Sequence, residues 1–337
     1  MVKGKVVFIG SGPGDPELIT VKARKYIEEA DVILYAGSLV NPEILNWARR
    51  DAEIINTAEL THEEIVNIMV KRAKEGKLVA RLKSGDFSIY GALNEELQAI
   101  KKEGIDYELV PGITAAIAAA SSLGIELTLP RVSQTLIITR ASASVPMEGS
   151  IKDYAPFLNK GASMVIYTGV HVIDKVVEEL KEGGIPEDFP IAVVYKATWK
   201  GEEKIIRGTL SDIAEKVKKE KITRDAVIVV GKILTPEKFE FRSSAYDEKH
   251  YTGFRIANQD RLKYFEARYS IDKIFGEEYL KELIKAIKEG KGNKDELISK
   301  AEKVLSEAKI NPKLRLEAEE IISEVKNKEK EKNKTLS

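Results

Sequence analysis

The chain opens with an unbroken apolar run, Val6-Val7-Phe8-Ile9, which fits a strand covered on both faces. Gly10, Gly12 and Gly14 follow at once and open backbone conformations closed to other residues, close to a ligand. The period then changes. Thr20 is placed to cap a helix over Val21–Ala30, with Val21, Ala23, Ile27 and Ala30 facing inward. Asp31–Tyr35, Ala52–Asn56, Lys77–Leu82 and Asp106–Val110 read as further strands. Between them fit a short helix from Pro42 through Trp47, a helix from the capping box Thr61-His62-Glu63-Glu64 to Lys74, ended by Gly76, and a helix over Ala92–Lys102. Three turns lead from a strand into a helix: Gly10–Pro16, Lys83–Gly91 and Pro111–Ala115. Such turns lie at the carboxyl ends of strands, where open α/β sheets bind ligands. Alternating strand and helix predict a parallel-sheet α/β domain over residues 1–125.

The pattern shifts near Gly124–Arg131, where Leu127–Pro130 reads as a connection between domains. Strands follow at Gln134–Thr139, Ala162–Thr168, Ile191–Lys196, Lys204–Gly208 and Ala226–Gly231, with helices at Val172–Lys181 and Leu210–Lys219. The close succession of two strands around Trp199-Lys200-Gly201 predicts a hairpin and a mixed sheet, giving a second domain over 126–255. From about Ala257 the chain turns rich in Lys, Glu, Leu and Ile. Helical spacing at Tyr279, Leu280, Leu283, Ile284 and Ile287 predicts two or three helices, broken at Gly290–Gly292 and Pro312. Residues 256–337 are read as a helical extension, with a solvated tail as the alternative and disorder expected over the polar end, Lys326–Ser337.

Composition narrows the chemistry. The 337 residues carry 54 basic and 54 acidic side chains, so net charge gives no argument for a nucleic-acid partner. The chain has no cysteine and three histidines, His62, His171 and His250, scattered along it. Disulfides and thiolate chemistry are excluded, and no metal site is expected. His62 reads as an exposed first-turn residue. No apolar run reaches membrane length and no signal-peptide pattern opens the chain, so a soluble, cytoplasmic protein is expected. The first glycine turn fails as a dinucleotide loop: the third glycine comes one residue early, Asp15 stands in its place, and Pro13 removes an amide donor. The phosphate-loop pattern and the triads of nucleophilic catalysis are missing. What remains is several backbone-rich turns on one edge, which suits a reaction in which the protein positions two reactants. Methyl transfer from a sulfonium donor is one such reaction; residue types alone also allow a nucleotide-binding module.

Gly10-Ser11-Gly12-Pro13-Gly14-Asp15-Pro16-Glu17-Leu18-Ile19-Thr20, Ser84-Gly85-Asp86 with Tyr90-Gly91, and Pro111-Gly112-Ile113-Thr114 occur in an order and spacing that resemble the tetrapyrrole (corrin/porphyrin) methyltransferases. The resemblance runs from about Val6 to Arg255. Within the family, Leu34–Pro42, Leu127–Pro130, Gln134–Ala141, Val194–Trp199 and the Phe241–Arg255 segment are similar to the branch that methylates C11 of precorrin-4 or cobalt-precorrin-4 in cobalamin synthesis. The resemblance implies two α/β domains, the second with a mixed sheet, holding S-adenosyl-L-methionine between them, usually in a homodimer. Carried over by position, the donor would meet Pro13, Ser84, Gly85, Asp86, Ile89, Thr114, Ala115, Tyr167, Thr168 and Ala197, with Asp86 as an orienting carboxylate. A corrinoid substrate, flat and rich in carboxylates, would meet Gly12, Asp15, Lys83, Arg131, Arg140 and Lys196. This chain departs from the family's pattern at Phe87, where proline is frequent, and at Ser142–Pro146. It also has no aspartate near Ala36–Gly37, so no general base is assigned. Another ring position, a diphthine-type acceptor, or a non-enzymatic nucleotide-binding scaffold are the rival expectations.

Overall fold

The computed structural model describes residues 4–142, 146–239 and 261–335, with side chains through Lys328. His250, residues 143–145 and the Phe241–Arg255 segment lie outside the described residues. The chain divides into two compact units, Met1–Phe241 and Arg242–Ser337.

The first unit holds two five-stranded sheets. In the first sheet, β1 (Lys5–Gly10), β2 (Val32–Tyr35), β3 (Glu53–Asn56), β4 (Leu78–Lys83) and β5 (Asp106–Val110) run parallel in the order β3-β2-β4-β1-β5. The apolar run of β1 is continuous because both faces are covered. Val6 and Phe8 enter one core with residues of α2 (His62–Lys74) and α3 (Leu93–Lys102), while Val7 and Ile9 enter another with Ala23 and Ile27 of α1 (Val21–Glu29). All four are fully buried, each worth roughly 1.5–3 kcal/mol on the transfer scale. Thr20 caps α1 by accepting from the Ala23 amide, and Thr61 and Glu64 complete a reciprocal capping box at α2. Val21, expected to face inward, is instead 73% exposed. At about 100° per residue it stands opposite Ala23, Ile27 and Ala30.

The third turn changes sheets. It follows β5 and leads into α4 (Ala115–Leu123), whose Ala116, Ala119 and Leu123 pack with Val165, Ala192, Val194, Val227 and Val229 of the second sheet. That sheet has the order β6-β7-β10-β8-β9, from β6 (Thr135–Arg140), β7 (Ala162–Tyr167), β8 (Pro190–Tyr195), β9 (Lys204–Thr209) and β10 (Ala226–Val230). β6 and β7 are parallel and the other pairs antiparallel, including the β8–β9 hairpin. Its other face is covered by α7 (Ile173–Glu182), α8 (Ile213–Lys219) and two four-residue helices, α5 (Ile151–Tyr154) and α6 (Pro156–Asn159). The last two are too short to show a period in sequence.

The second unit has its own core. Phe265 and Tyr269 of α9 (Arg261–Ile271), Leu280, Leu283 and Ile287 of α10 (Gly276–Glu289), Ala301 and Val304 of α11 (Lys294–Glu307) and Ala318 and Ile322 of α12 (Pro312–Thr335) are buried together. The described residues thus form four α-helices where two or three were expected. The breaks at Gly290–Gly292 and Pro312 fall where the sequence placed them. Helix α12 runs on through Thr335, into the stretch from Lys326 read as disordered; Lys and Glu are good helix formers, and their polarity alone does not end a helix.

Candidate functional site

The three glycine turns follow β1, β4 and β5, which lie side by side in the sheet, and their backbones interlock. Gly12 and Gly85 exchange hydrogen bonds, Gly12 N–H to Gly85 O at 3.1 Å and Gly85 N–H to Gly12 O at 2.8 Å. The Ser11 amide and hydroxyl both donate to Lys83 O, at 2.8 and 2.9 Å. A Cβ on Gly10 would lie 2.5 Å from Gly112 N, and one on Gly112 would lie 2.3 Å from Gly85 O. These two glycines are required by the packing of turn on turn, with no ligand involved.

Asp86 joins the second turn to the third. Its Oδ2 accepts from Gly112 N–H at 2.6 Å, and its Oδ1 accepts from the amide of Ser88, at 2.8 Å, and from the Ser88 hydroxyl. Burial alone would raise its pKa, but the hydrogen bonds from Ser88 and Gly112 outweigh it and hold the carboxyl below the usual carboxylate range. Both oxygens face protein donors, so Asp86 shapes the turns from beneath.

The second sheet reaches the same turns. Tyr167, at the end of β7, accepts from the Ala116 amide at 2.8 Å and shares a 2.5 Å hydrogen bond with the Thr114 hydroxyl, tying β7 to the start of α4. Burial pushes its phenol upward in pKa, against the hydrogen bonds from Thr114 and Ala116. Trp199 donates from Nε1 to Pro13 O at 3.1 Å and leaves no space for a Cβ on Gly14, which would be 2.1 Å from its ring. Thr198 Oγ1 accepts from the Asp15 amide at 3.1 Å. From the loop after β2, Asn41 Nδ2 donates to Gly14 O at 2.9 Å, and Ser84 Oγ donates to Leu39 O at 3.3 Å.

The structure therefore gathers Gly12, Pro13 and Asp15, then Ser84, Gly85, Asp86 and Ile89, then Thr114 and Ala115, with Tyr167 and the Lys196–Trp199 loop, around one edge. Pro13, Ser84, Ile89, Thr114, Ala115 and Tyr167 are half-buried and Thr168 is exposed, whereas Gly85, Asp86 and Ala197 are buried. Backbone strain concentrates here: Tyr90, Ala92, Thr168, Lys196 and Thr198 all have left-handed φ between 45° and 70°, the kind of outlier that clusters at functional sites.

Some expectations for the substrate side change. Lys83 does not offer its ammonium to a cleft. It is buried and bonded to Glu96 at 2.5 Å, and Glu96 also receives Arg81; as an alternate residue of β4, Lys83 points with Arg81 toward α3. Asp15 spends its carboxylate on the Glu17 amide at 2.8 Å. Lys196 is ion-paired with Glu202 and stands 4.4 Å over the Trp199 ring. Arg140 donates to Pro146 O at 2.6 Å. Arg131 is exposed, at left-handed φ, in the turn closed by the Val132 amide on Leu129 O. Sequence reasoning did not single out Asn41, Ser88, Tyr90, Thr198 or Trp199 as site residues. The signal available was that Trp199 is one of two tryptophans and lies in a loop.

An edge built of adjoining turns at strand ends, closed by side chains from a second sheet, defines a class. The family model of tetrapyrrole (corrin/porphyrin) methylases matches residues 5–214, and the chain belongs to that family. The cobalt-precorrin-4 C(11)-methyltransferase of Methanocaldococcus jannaschii is 51% identical over 257 residues, covering 76% of this chain and 97% of that protein. Among solved structures, the X-ray structure of a cobalt precorrin-4 methyltransferase, a cobalamin biosynthetic enzyme, superposes with a TM-score of 0.65 at 40% identity, over 68% of this chain and 95% of that one. The uroporphyrin-III C-methyl transferase of Thermus thermophilus, complexed with S-adenosyl homocysteine, gives a TM-score of 0.59 at 26% identity, over 69% and 99%. No described helix is long and apolar enough to cross a membrane.

Proposed function

We propose that this protein transfers a methyl group from S-adenosyl-L-methionine to C11 of cobalt-precorrin-4 in cobalamin biosynthesis. The observation that carries the reading is the 51% identity, over nearly the full length of the relative, to a cobalt-precorrin-4 C(11)-methyltransferase. The donor brings its own leaving group: the ring carbon bonds to the methyl carbon while sulfur keeps the electron pair of the broken bond and departs as a neutral thioether. The chain's part is to position. Pro13, Ser84, Ile89, Thr114, Ala115 and Tyr167 are half-buried and combine apolar side chains with hydroxyls, a set that suits an adenosine and an amino-acid end. Gly85, Asp86 and Ala197 support that surface from below. Holding two reactants in attack geometry supplies several kcal/mol of a barrier, of the order of 7 or more for well-oriented pairs.

A homodimer and a cytoplasmic location belong to the same reading and follow the family resemblance; analytical ultracentrifugation tests the first. The decisive experiment incubates the protein with S-adenosyl-L-methionine and either cobalt-precorrin-4 or precorrin-4, and follows the acceptor by mass spectrometry. One added methyl, at C11 by NMR, is expected. No gain with either acceptor, beside an active control, would overturn this reaction for the chain and leave only its family membership standing.

A further inference from the structure

Tyr90 stands out from the turn that carries it. Its backbone is left-handed, φ 52°, and so is that of Ala92, φ 45°; a tyrosine held there costs energy that the adjacent residue, a glycine, would not. Gly91 is itself fixed, because a Cβ on it would lie 2.3 Å from Phe87 O. The ring packs on the second sheet, 5.4 Å from the Tyr167 ring and tilted by 56°. The tyrosine nonetheless remains 52% exposed. A large ring packed on one neighbouring aromatic, kept in a strained backbone and left open on the remaining surface is arranged to receive something flat.

Resting on the proposed function, we infer that the open face of Tyr90 is the seat of the acceptor. The ligand class is a flat, conjugated macrocycle whose edge lies on the phenol ring. Tyr90 shares its turn with Ser84–Asp86, so the seat is fixed to the same backbone as the donor surface. Tyr90 is a positioning and specificity residue here, not a source of acid or base.

The test compares wild type with Tyr90→Phe, Tyr90→Leu and Tyr90→Gly in steady-state methyl transfer to cobalt-precorrin-4, alongside calorimetry with S-adenosylhomocysteine and thermal unfolding. Tyr90→Gly removes the ring and relieves the strain, so folding is retained or improved. The acceptor KM is expected to rise about fivefold to tenfold in the Gly and Leu variants and to stay within about twofold in the Phe variant, which keeps the ring. Affinity for S-adenosylhomocysteine should be unchanged in all three. An unchanged acceptor KM in the Gly and Leu variants, or a loss that appears in donor affinity instead, overturns the inference while leaving the activity standing. Wild type that methylates neither cobalt-precorrin-4 nor precorrin-4 overturns the proposed function, and the acceptor seat with it.

Discussion

Asp86 carries its weight inside the protein. Both carboxylate oxygens accept, one from Ser88 and the other from the Gly112 amide, and together they fix the second turn to the third. An asparagine offers only one accepting oxygen, so Asp86→Asn sets an NH2 against a backbone or hydroxyl donor. The expected cost is about 1–3 kcal/mol, which for a unit of this size lowers Tm by about 2–4 °C per kcal/mol, with weaker donor binding as the turns separate. The pH dependence follows from the lowered pKa. A depressed carboxyl contributes stability that is fully present above its unfolded value and is lost as pH falls through its folded value. The deficit of Asp86→Asn relative to wild type should therefore shrink on acidification below the ordinary aspartate range. Thermal melts from neutral to acid pH check this; equal Tm values at neutral pH would remove Asp86 as the link between the turns.

Between strand and helix, the clearest test is the charge cluster of β4 and α3. Arg81, Lys83 and Glu96 are all buried, two cations on one carboxylate, with Arg81 also donating to Thr57 at 3.2 Å. Burial and the Arg81 charge lower the pKa of Lys83. Removing Lys83 leaves a matched pair, so Lys83→Met should be neutral or stabilising, whereas Glu96→Ala strands two cations and should cost about 3–5 kcal/mol. Chemical denaturation of both variants reads the difference, and a large loss in Lys83→Met would contradict this account. The same cluster shows where sequence stops being informative. The strands were legible because β1, with neighbours on both sides, needs an unbroken apolar run, and the turns because turn-on-turn packing at Gly10 and Gly112 admits no side chain. Lys83 is expected to meet the substrate only through the family resemblance, and its actual partner, Glu96, lies on another element, out of reach of any local pattern. Trp199 and Tyr90 are hidden from the sequence for the same reason: their importance comes from contacts with Pro13 and with Tyr167, which no local pattern encodes. Val21 differs from expectation more simply, because it lies on the outer side of its own helix.

At the scale of the molecule, the question is what the helical unit contributes. The family model ends at residue 214, and the 51%-identical relative is matched over 97% of its length by about three quarters of this chain. The machinery of the reaction is therefore expected within the residues shared with that relative. The second unit has an independent reason to be folded, since Leu280, Leu283, Ala301 and Val304 are shielded within its own core, capped by Asn293 at α11 and turned by the left-handed Gly290. A chain ending at residue 255 should thus retain methyl transfer, with kcat/KM within about twofold of the full chain, a difference of under 1 kcal/mol. The separate 256–337 fragment should give a helical circular dichroism spectrum and a cooperative thermal transition, because helices this short are marginal without tertiary packing. A fragment that melts without cooperativity would mean that the buried leucines do not suffice alone. A truncated enzyme slowed tenfold or more would make the helical unit part of the catalyst, despite relatives that are matched almost end to end without that much chain.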